Sequence, residues 1–358
     1  MRALAGAFCL AVGLLTPAGA QRPVDESHAA LVASAEREGA LQVLSTTDTA
    51  EVSDLLADFR ALYPGIELDY GKRSSGELYG ALIRDAAAGT GSADLLWSSA
   101  MDLQIKLVND GYAQAYASPE AVALPDWAVW RDEAYGVTAE PVVIVHNRRL
   151  VPEKDVPRTH ADLLKLLVTK PEAYQGKVAT YDPERSGTGF LFLTQDVQIT
   201  KSTWDLARAM GQVGVKLYGS SDAMLDRISS GEALIAYNVI GSYALARAKD
   251  DPAIGVVLPS DYLVVMTRIA FIPKAARHPN AARLFLDHLL SRRGQRLLAA
   301  HFLNAVRRDL AGSAESVIPA SLEHILRPIH VGPALLTYLD QAKRAKFLKE
   351  WQRALQGR

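Results

Sequence analysis

Short apolar runs and helical apolar stripes alternate along this chain. Leu41 to Leu44 is an apolar run ended by Ser45, Thr46, Thr47 and Asp48, after which Val52, Leu55, Leu56 and Phe59 recur at helical spacing. The unit returns as Ile66 to Tyr70, the polar turn Gly71 to Gly76 and the stripe Leu78, Leu82, Ile83. It returns again as Asp94 to Trp97, then Ser98, Ser99, Ala100, then Leu103 to Val108. Strand, polar turn and helix in that order predict an α/β fold with mostly parallel sheets. Ligands bind such sheets outside the carboxyl ends of the strands. Thr46, Thr47, Asp48, Arg73, Ser74, Ser75, Ser98 and Ser99 are therefore candidate ligand contacts.

A second region opens at the β-branched run Val142 to Val145, with Pro152, Pro157 and Pro171 marking its early loops. Lys177 to Thr180 predicts a strand that ends in the turn Tyr181 to Gly189 before a helix starting at Phe190. Ser220, Ser221 and Asp222 have the pattern of an N-cap before Met224, Leu225 and Ile228. Ala233 to Tyr237 predicts another strand, with Asn238, Gly241 and Ser242 in its turn. Ala281 to Ala300 reads as one amphipathic helix and Leu335 to Leu355 as another.

Composition narrows the function classes. The 358 residues are 49% hydrophobic, too many for one small core and consistent with two domains. Lys and Arg number 39 against 40 Asp and Glu, a net charge of -1. No broad basic field is available for nucleic acid, so a charged ligand must be read by a local site. Residues 1–20 have the order of a secretory signal peptide: Arg2, the apolar run Ala3 to Leu15, Pro17 and the small residues Ala18, Gly19, Ala20. Cleavage after Ala20 and export to the periplasm are expected. Cys9, the only cysteine, lies inside the apolar run, which argues against a lipid anchor and leaves the mature chain without thiol chemistry.

The sequence lacks the phosphate-loop, dinucleotide, serine-hydrolase and zincin motifs. Its eight histidines are scattered and read as surface residues. Asp94, Glu140 and Asp182 could form an acid/base group, but separate carboxylates are ordinarily surface residues. The segment from Asp182 to Gly189 is more informative. Ser186, Gly187 and Thr188 offer hydroxyls and backbone amides at a helix N-terminus, where hydrogen bonds and the helix dipole favour an anion. The competing reading is simple helix capping. Arg73 with Ser74 and Ser75 adds a guanidinium to a similar turn. Tyr237, Asn238 and Tyr243 offer aromatic and amide groups for an organic body, or core packing around a strand end. Glu140 is read either as a solvated hinge residue or as an acceptor of ligand hydroxyls.

From about Leu41 to Ala300 the sequence resembles the periplasmic solute-binding proteins of ABC importers, in the branch that holds ferric-ion binders and relatives for phosphorylated sugars and phosphonates. The resemblance lies in L-Q-V-L-S-T-T-D, A-D-L-L-W-S-S-A-M-D-L-Q, G-K-V-A-T-Y-D-P-E-R-S-G-T-G, G-E-A-L-I-A-Y-N-V-I-G-S-Y-A and I-P-K-A-A-R-H-P-N-A-A-R-L-F-L-D-H-L-L-S. It implies an α/β, two-lobe periplasmic binding protein fold (type II), with a ligand cleft between lobes joined by crossing strands. The lobes are expected at 21–135 plus 272–358 and at 136–271. Where the resemblance places iron ligands, this chain has Asp48, Ser99 and the Gly241-Ser242 pair, with Tyr243 just beyond. Serine and glycine offer a hard cation no anionic oxygen. The resemblance also places the family's anion-holding turn on Ser186, Gly187 and Thr188. The expected function is capture of a small phosphorylated or phosphonate anion by a monomer that partners an inner-membrane ABC permease, with no cofactor, no resident metal and no catalysis. Two alternatives stand beside it: a ferric-ion binder using Asp48, Tyr237 and Tyr243, and a ligand-sensing subunit of a histidine kinase.

Overall fold

The structure, a computed structural model, describes residues 22–91, 93–314 and 316–357. The proposed signal peptide lies outside these residues. The chain begins with α1 (Arg22–Glu38), β1 (Ala40–Ser45), α2 (Ser53–Leu62), β2 (Glu67–Lys72), α3 (Ser75–Ala88), β3 (Leu95–Ser98), α4 (Met101–Asn109), β4 (Val129–Trp130) and β5 (Ala134–Gly136). It continues with β6 (Glu140–Asn147), α5 (His160–Thr169), β7 (Val178–Tyr181), α6 (Gly187–Ile199), α7 (Thr203–Gln212), β8 (Lys216–Tyr218), α8 (Ser221–Ser230), β9 (Ile235–Ile240), α9 (Gly241–Asp250) and β10 (Ile254–Val257). The last elements are β11 (Leu263–Met266), β12 (Ile269–Phe271), α10 (Pro279–Leu290), α11 (Arg292–Ala300), β13 (Leu326–Pro328) and α12 (Gln341–Leu355).

Two sheets form two lobes. The first has the order β2-β1-β3-β12-β5-β4; the second has β13-β11-β6-β9-β7-β8, with β10 also paired to β6. A longer passage after α11 leads to β13 of the second sheet, and two short crossings join the lobes: residues 137–139 lead from β5 to β6, and residues 267–268 lead from β11 to β12. The crossings bind each other: Val137 N donates to Arg268 O at 2.9 Å, and Arg268 N to Thr138 Oγ1 at 2.9 Å. Gly136 makes this approach possible, because a Cβ there would sit 2.7 Å from Thr267 Oγ1.

Each lobe has its own apolar core, and a third cluster runs through the crossing. Leu41, Val43, Phe59 and Leu95 pack with Phe285 and Leu289 of α10 in the first lobe. Ile144, Val178 and Ile235 of the second sheet pack with Leu163 of α5 and with Leu206 and Met210 of α7. Burying one such side chain fully contributes about 1.5–3 kcal/mol.

The structure corrects several expectations. The stretch Ala281 to Ala300 is two helices, because Ser291 leaves helical geometry (φ -61°, ψ 156°) and its hydroxyl accepts from Gly294 N at 3.0 Å. The stretch Leu335 to Leu355 is likewise split: a 3-10 turn, Pro333–Leu339, precedes Asp340, which caps α12 by accepting from Lys343 N at 2.9 Å. Nor does α12 stay with the first lobe. Its stripe Phe347, Trp351, Ala354 packs on α7 in the second, where Gly211 admits the Leu355 carbonyl to within 2.0 Å of where a Cβ would stand. Residues 269–271, expected in the second lobe, form β12 of the first sheet. His146, His160 and His288 are buried rather than on the surface. Strand β9 runs on to Ile240, so Asn238 lies within it, at φ 63° and beside a register shift opposite Val143 and Val145.

Candidate ligand cleft

Parallel pairing brings the polar turns of each sheet to one edge. Ser45 lies opposite both Lys72 and Trp97, so the ends of β1, β2 and β3 converge. β12 runs antiparallel to β3 with Ile269 opposite Ser98, which sets Arg268 at that same edge. In the second sheet Tyr181 lies opposite Tyr218, and Val142 of the antiparallel β6 lies opposite Ile240. Glu140, the first residue of β6, thus sits by the start of α9.

A hydrogen-bonded chain joins the two edges. Arg268 Nη1 donates to Thr47 Oγ1 at 2.9 Å. Arg268 Nε and Nη2 donate to the two Glu140 carboxylate oxygens at 2.8 and 3.1 Å. Glu140 also accepts from Thr138 Oγ1 at 2.8 Å and Ser242 Oγ at 2.5 Å. Thr47, Thr138, Glu140, Ser242 and Arg268 are all inaccessible to solvent. Burial pushes the Glu140 carboxyl up, but the Arg268 charge and these hydrogen bonds outweigh it and hold it below the usual glutamate range. Glu51, 3.9 Å from Arg268, is instead raised, by burial and by Glu140, against the pull of Arg268. The Tyr243 ring lies 5.6 Å from the Arg268 guanidinium, and burial pushes its hydroxyl up to about 12.

The remaining first-lobe candidates divide by what they touch. Ser99 N donates to Thr46 Oγ1 at 3.0 Å, which locks the turns after β1 and β3 together. Asp48 pairs with Lys72. Across the cleft, burial raises Asp222 in the first turn of α8; Arg247 opposes that shift, and Asp48 and Lys72 of the other lobe also act on it. Arg73 is exposed and donates to Lys72 O at 2.8 Å. Ser74 caps α3 in a reciprocal box with Glu77, Ser75 is the first residue of that helix, and Ser98 Oγ accepts from Ala100 N at 3.1 Å.

In the second lobe Ser186 caps α6, accepting from Gly189 N at 3.1 Å, and Asp182 Oδ1 accepts from Glu184 N at 3.0 Å. The amides of Gly187 and Thr188, ahead of the first intrahelical hydrogen bond, are the orphan donors of this helix start. Arg344 of α12 steadies the turn, donating to Pro183 O at 3.1 Å and stacking 4.1 Å over Phe190.

Tyr237 and Asn238 lie elsewhere. Tyr237 Oη and Asn238 Nδ2 donate to Asp196 Oδ2 at 2.7 and 2.6 Å, and Tyr262 Oη donates to Asp196 Oδ1 at 3.0 Å, all inside the second lobe. Of the alternative iron set, Tyr237 points at Asp196 inside the second lobe, while Asp48 pairs with Lys72 and Tyr243 lies beside Arg268. Sequence reasoning missed Glu51, Lys72, Asp222 and Arg268. Lys72 was recoverable as the charged end of β2. Arg268 had one signal, a guanidinium inside the apolar stretch from Leu263 to Phe271.

The model of the family described as bacterial extracellular solute-binding protein matches residues 41–304. The chain belongs to that family. This solute-binding protein is 39% identical to the substrate-binding protein of an ABC transporter from Agrobacterium tumefaciens, over 88% of this chain and 94% of that one, with a TM-score of 0.80. A curated relative, the phosphoglycerate transport regulatory protein PgtC of Salmonella typhimurium, is 32% identical over 129 residues, which are 36% of this chain and 32% of that protein. The match therefore spans about a third of that relative. The periplasmic binding protein AfuA of Actinobacillus pleuropneumoniae, solved with exogenous fructose-6-phosphate bound, shares the fold at 17% identity, with 89% of this chain and 99% of that one covered and a TM-score of 0.70. The two-lobe fold and the solute-binding role follow from these matches. Among the described residues no helix is long and apolar enough to cross a membrane.

Proposed function

We propose that this protein works in the periplasm, after removal of residues 1–20, as a monomer that captures a small phosphorylated or phosphonate organic anion and delivers it to an ABC permease. The observation that carries the ligand class is the start of α6. The Gly187 and Thr188 amides stand at the positive end of a 13-residue helix, in a turn at the carboxyl end of β7. Lys72 and Arg73 supply cations from the first lobe, and Thr46 and Ser99 supply hydroxyl oxygens. The phosphoglycerate link in the name of the Salmonella relative and the sugar phosphate held by AfuA favour the same class. Closure is a hinge motion about residues 137–139 and 267–268, in which contacts from both lobes stabilise the closed population.

Calorimetric titration with inorganic phosphate, 3-phosphoglycerate, fructose 6-phosphate and 2-aminoethylphosphonate tests this reading, with fructose and glycerate as phosphate-free controls. Binding of at least one phosphorylated probe, and none of its control, is expected. A control that binds as well as its phosphorylated counterpart would overturn the ligand class.

A further inference from the structure

A cavity of about 170 Å³ lies between α4 of the first lobe, α6 of the second and the segment that follows β13. Asp102, Leu191, Thr194, Gln195, Ile329 and His330 line it. Its position relative to the anion turn follows from helix geometry. Thr188, Leu191 and Gln195 are spaced three and four apart, so they share one face of α6. The cavity therefore lies along the helix that starts at the turn where the phosphate is proposed to sit. On the other side, Asp102 stands in the first turn of α4, just past Ser99.

The chemistry of the lining differs from that of the turn. It holds a carboxylate, primary amides, an imidazole and a threonine hydroxyl, and no lysine or arginine. Asp102 Oδ1 accepts from Leu103 N at 2.9 Å, and Thr194 Oγ1 donates to Leu191 O at 2.7 Å. Burial pushes the Asp102 carboxyl up, against the Leu103 amide, its own amide and the Arg344 charge. A second anionic group placed here would face a carboxylate with no cation in the lining to offset it. Neutral hydroxyls would instead donate to Asp102 and pair with the Gln195 amide.

We propose that this cavity is a second compartment of the cleft, which takes the neutral, hydroxyl-bearing body of a monophosphorylated ligand with Asp102 and Gln195 as its hydrogen-bonding partners. It rests on the phosphorylated-anion reading above. Because both lobes and the C-terminal segment contribute walls, a body seated here adds contacts that exist together only when the lobes are closed.

Titration of fructose 6-phosphate, fructose 1,6-bisphosphate and inorganic phosphate into the wild-type protein, Asp102→Asn and Gln195→Leu tests it. The wild type is expected to bind fructose 6-phosphate about tenfold or more tightly than either other probe. Each variant is expected to lose about tenfold in fructose 6-phosphate affinity while inorganic phosphate binding is unchanged, the latter showing an intact fold and turn. Equal affinity of the wild type for fructose 6-phosphate and inorganic phosphate would overturn the compartment and leave the anion reading standing. So would unaltered fructose 6-phosphate binding in both variants, or parallel loss of both probes. Failure of the wild type to bind any of the three would overturn both.

Discussion

Among the described residues two carboxylates are wholly buried, and they are held in opposite ways. Glu140, at the crossing between the lobes, faces a guanidinium and two hydroxyls, and its acidity is raised. Asp196, inside the second lobe, faces two phenols and an amide, and burial lowers its acidity despite those hydrogen bonds and the nearby His160. The first cluster reaches across from Thr47 in one lobe to Ser242 in the other. The second ties α6, β9 and Tyr262, the residue before β11, within a single lobe. A charged pair therefore sits at the crossing between the lobes, and a neutral-donor cluster sits inside one of them. Full burial of an acid alone does not tell which kind of place it occupies; the partners do.

The contrast is broken most severely at Arg268. Replacing it with methionine leaves Glu140 buried without its cation, and a loss of about 3–5 kcal/mol in urea-unfolding stability is expected. The double variant Glu140→Leu with Arg268→Met should recover most of that loss, since a buried pair replaced by apolar groups is often neutral. No recovery would mean that the surrounding hydroxyls, rather than the pair, set the cost. Next in size, Tyr237→Phe removes one hydrogen bond to a charged group and should cost about 1.5–3 kcal/mol of stability with ligand affinity unchanged. An affinity loss of tenfold or more would return Tyr237 to the cleft. Thr188→Ala, which keeps the amide and removes the hydroxyl proposed to donate to the anion, should do the reverse: about tenfold to a hundredfold weaker binding of the tightest phosphorylated probe, with the ligand-free melt nearly unchanged.

Acid sharpens the comparison with the smallest effect, about 1.4 kcal/mol for each unit by which a pKa is displaced. Glu140 is held low, so its contribution is present above the ordinary glutamate value of about 4.3 and fades as pH falls through its folded value. Asp196 is held high, so its contribution is present below the ordinary aspartate value of about 3.9 and fades as pH rises through its folded value. Between pH 7 and 4, Asp196→Asn should therefore lose ground to the wild type as the solution is acidified. Glu140→Gln should gain on the wild type on continuing below pH 4. Parallel curves for all three proteins would erase the distinction.

The local parts of this molecule were legible in its sequence because their signals are local. The turns after β1, β2 and β3 follow from a strand pattern giving way to a helical one within a few residues. The cap at Ser220 likewise needs only its neighbours, accepting from Ala223 N at 3.2 Å. The hinge was not legible in this way. Glu140 and Arg268 are 128 residues apart, and only the crossing of two strands brings them together. Asn238 reads as a turn residue because Gly241 and Ser242 follow closely. The strand instead runs three residues further than its apolar run suggests, and that places Asn238 inside it, bonded to Asp196 beside Tyr237.

The C-terminal segment leaves β13 beside the crossing strands and ends as α12 on the second lobe, while α1 packs with α10 on the first. The two outermost helices thus sit on different lobes. Dyes attached at the exposed positions Ala33 on α1 and Lys349 on α12 would change separation whenever the hinge turns. Energy transfer between them would report ligand capture optically, which makes the protein a ready scaffold for a fluorescent sensor of its own solute.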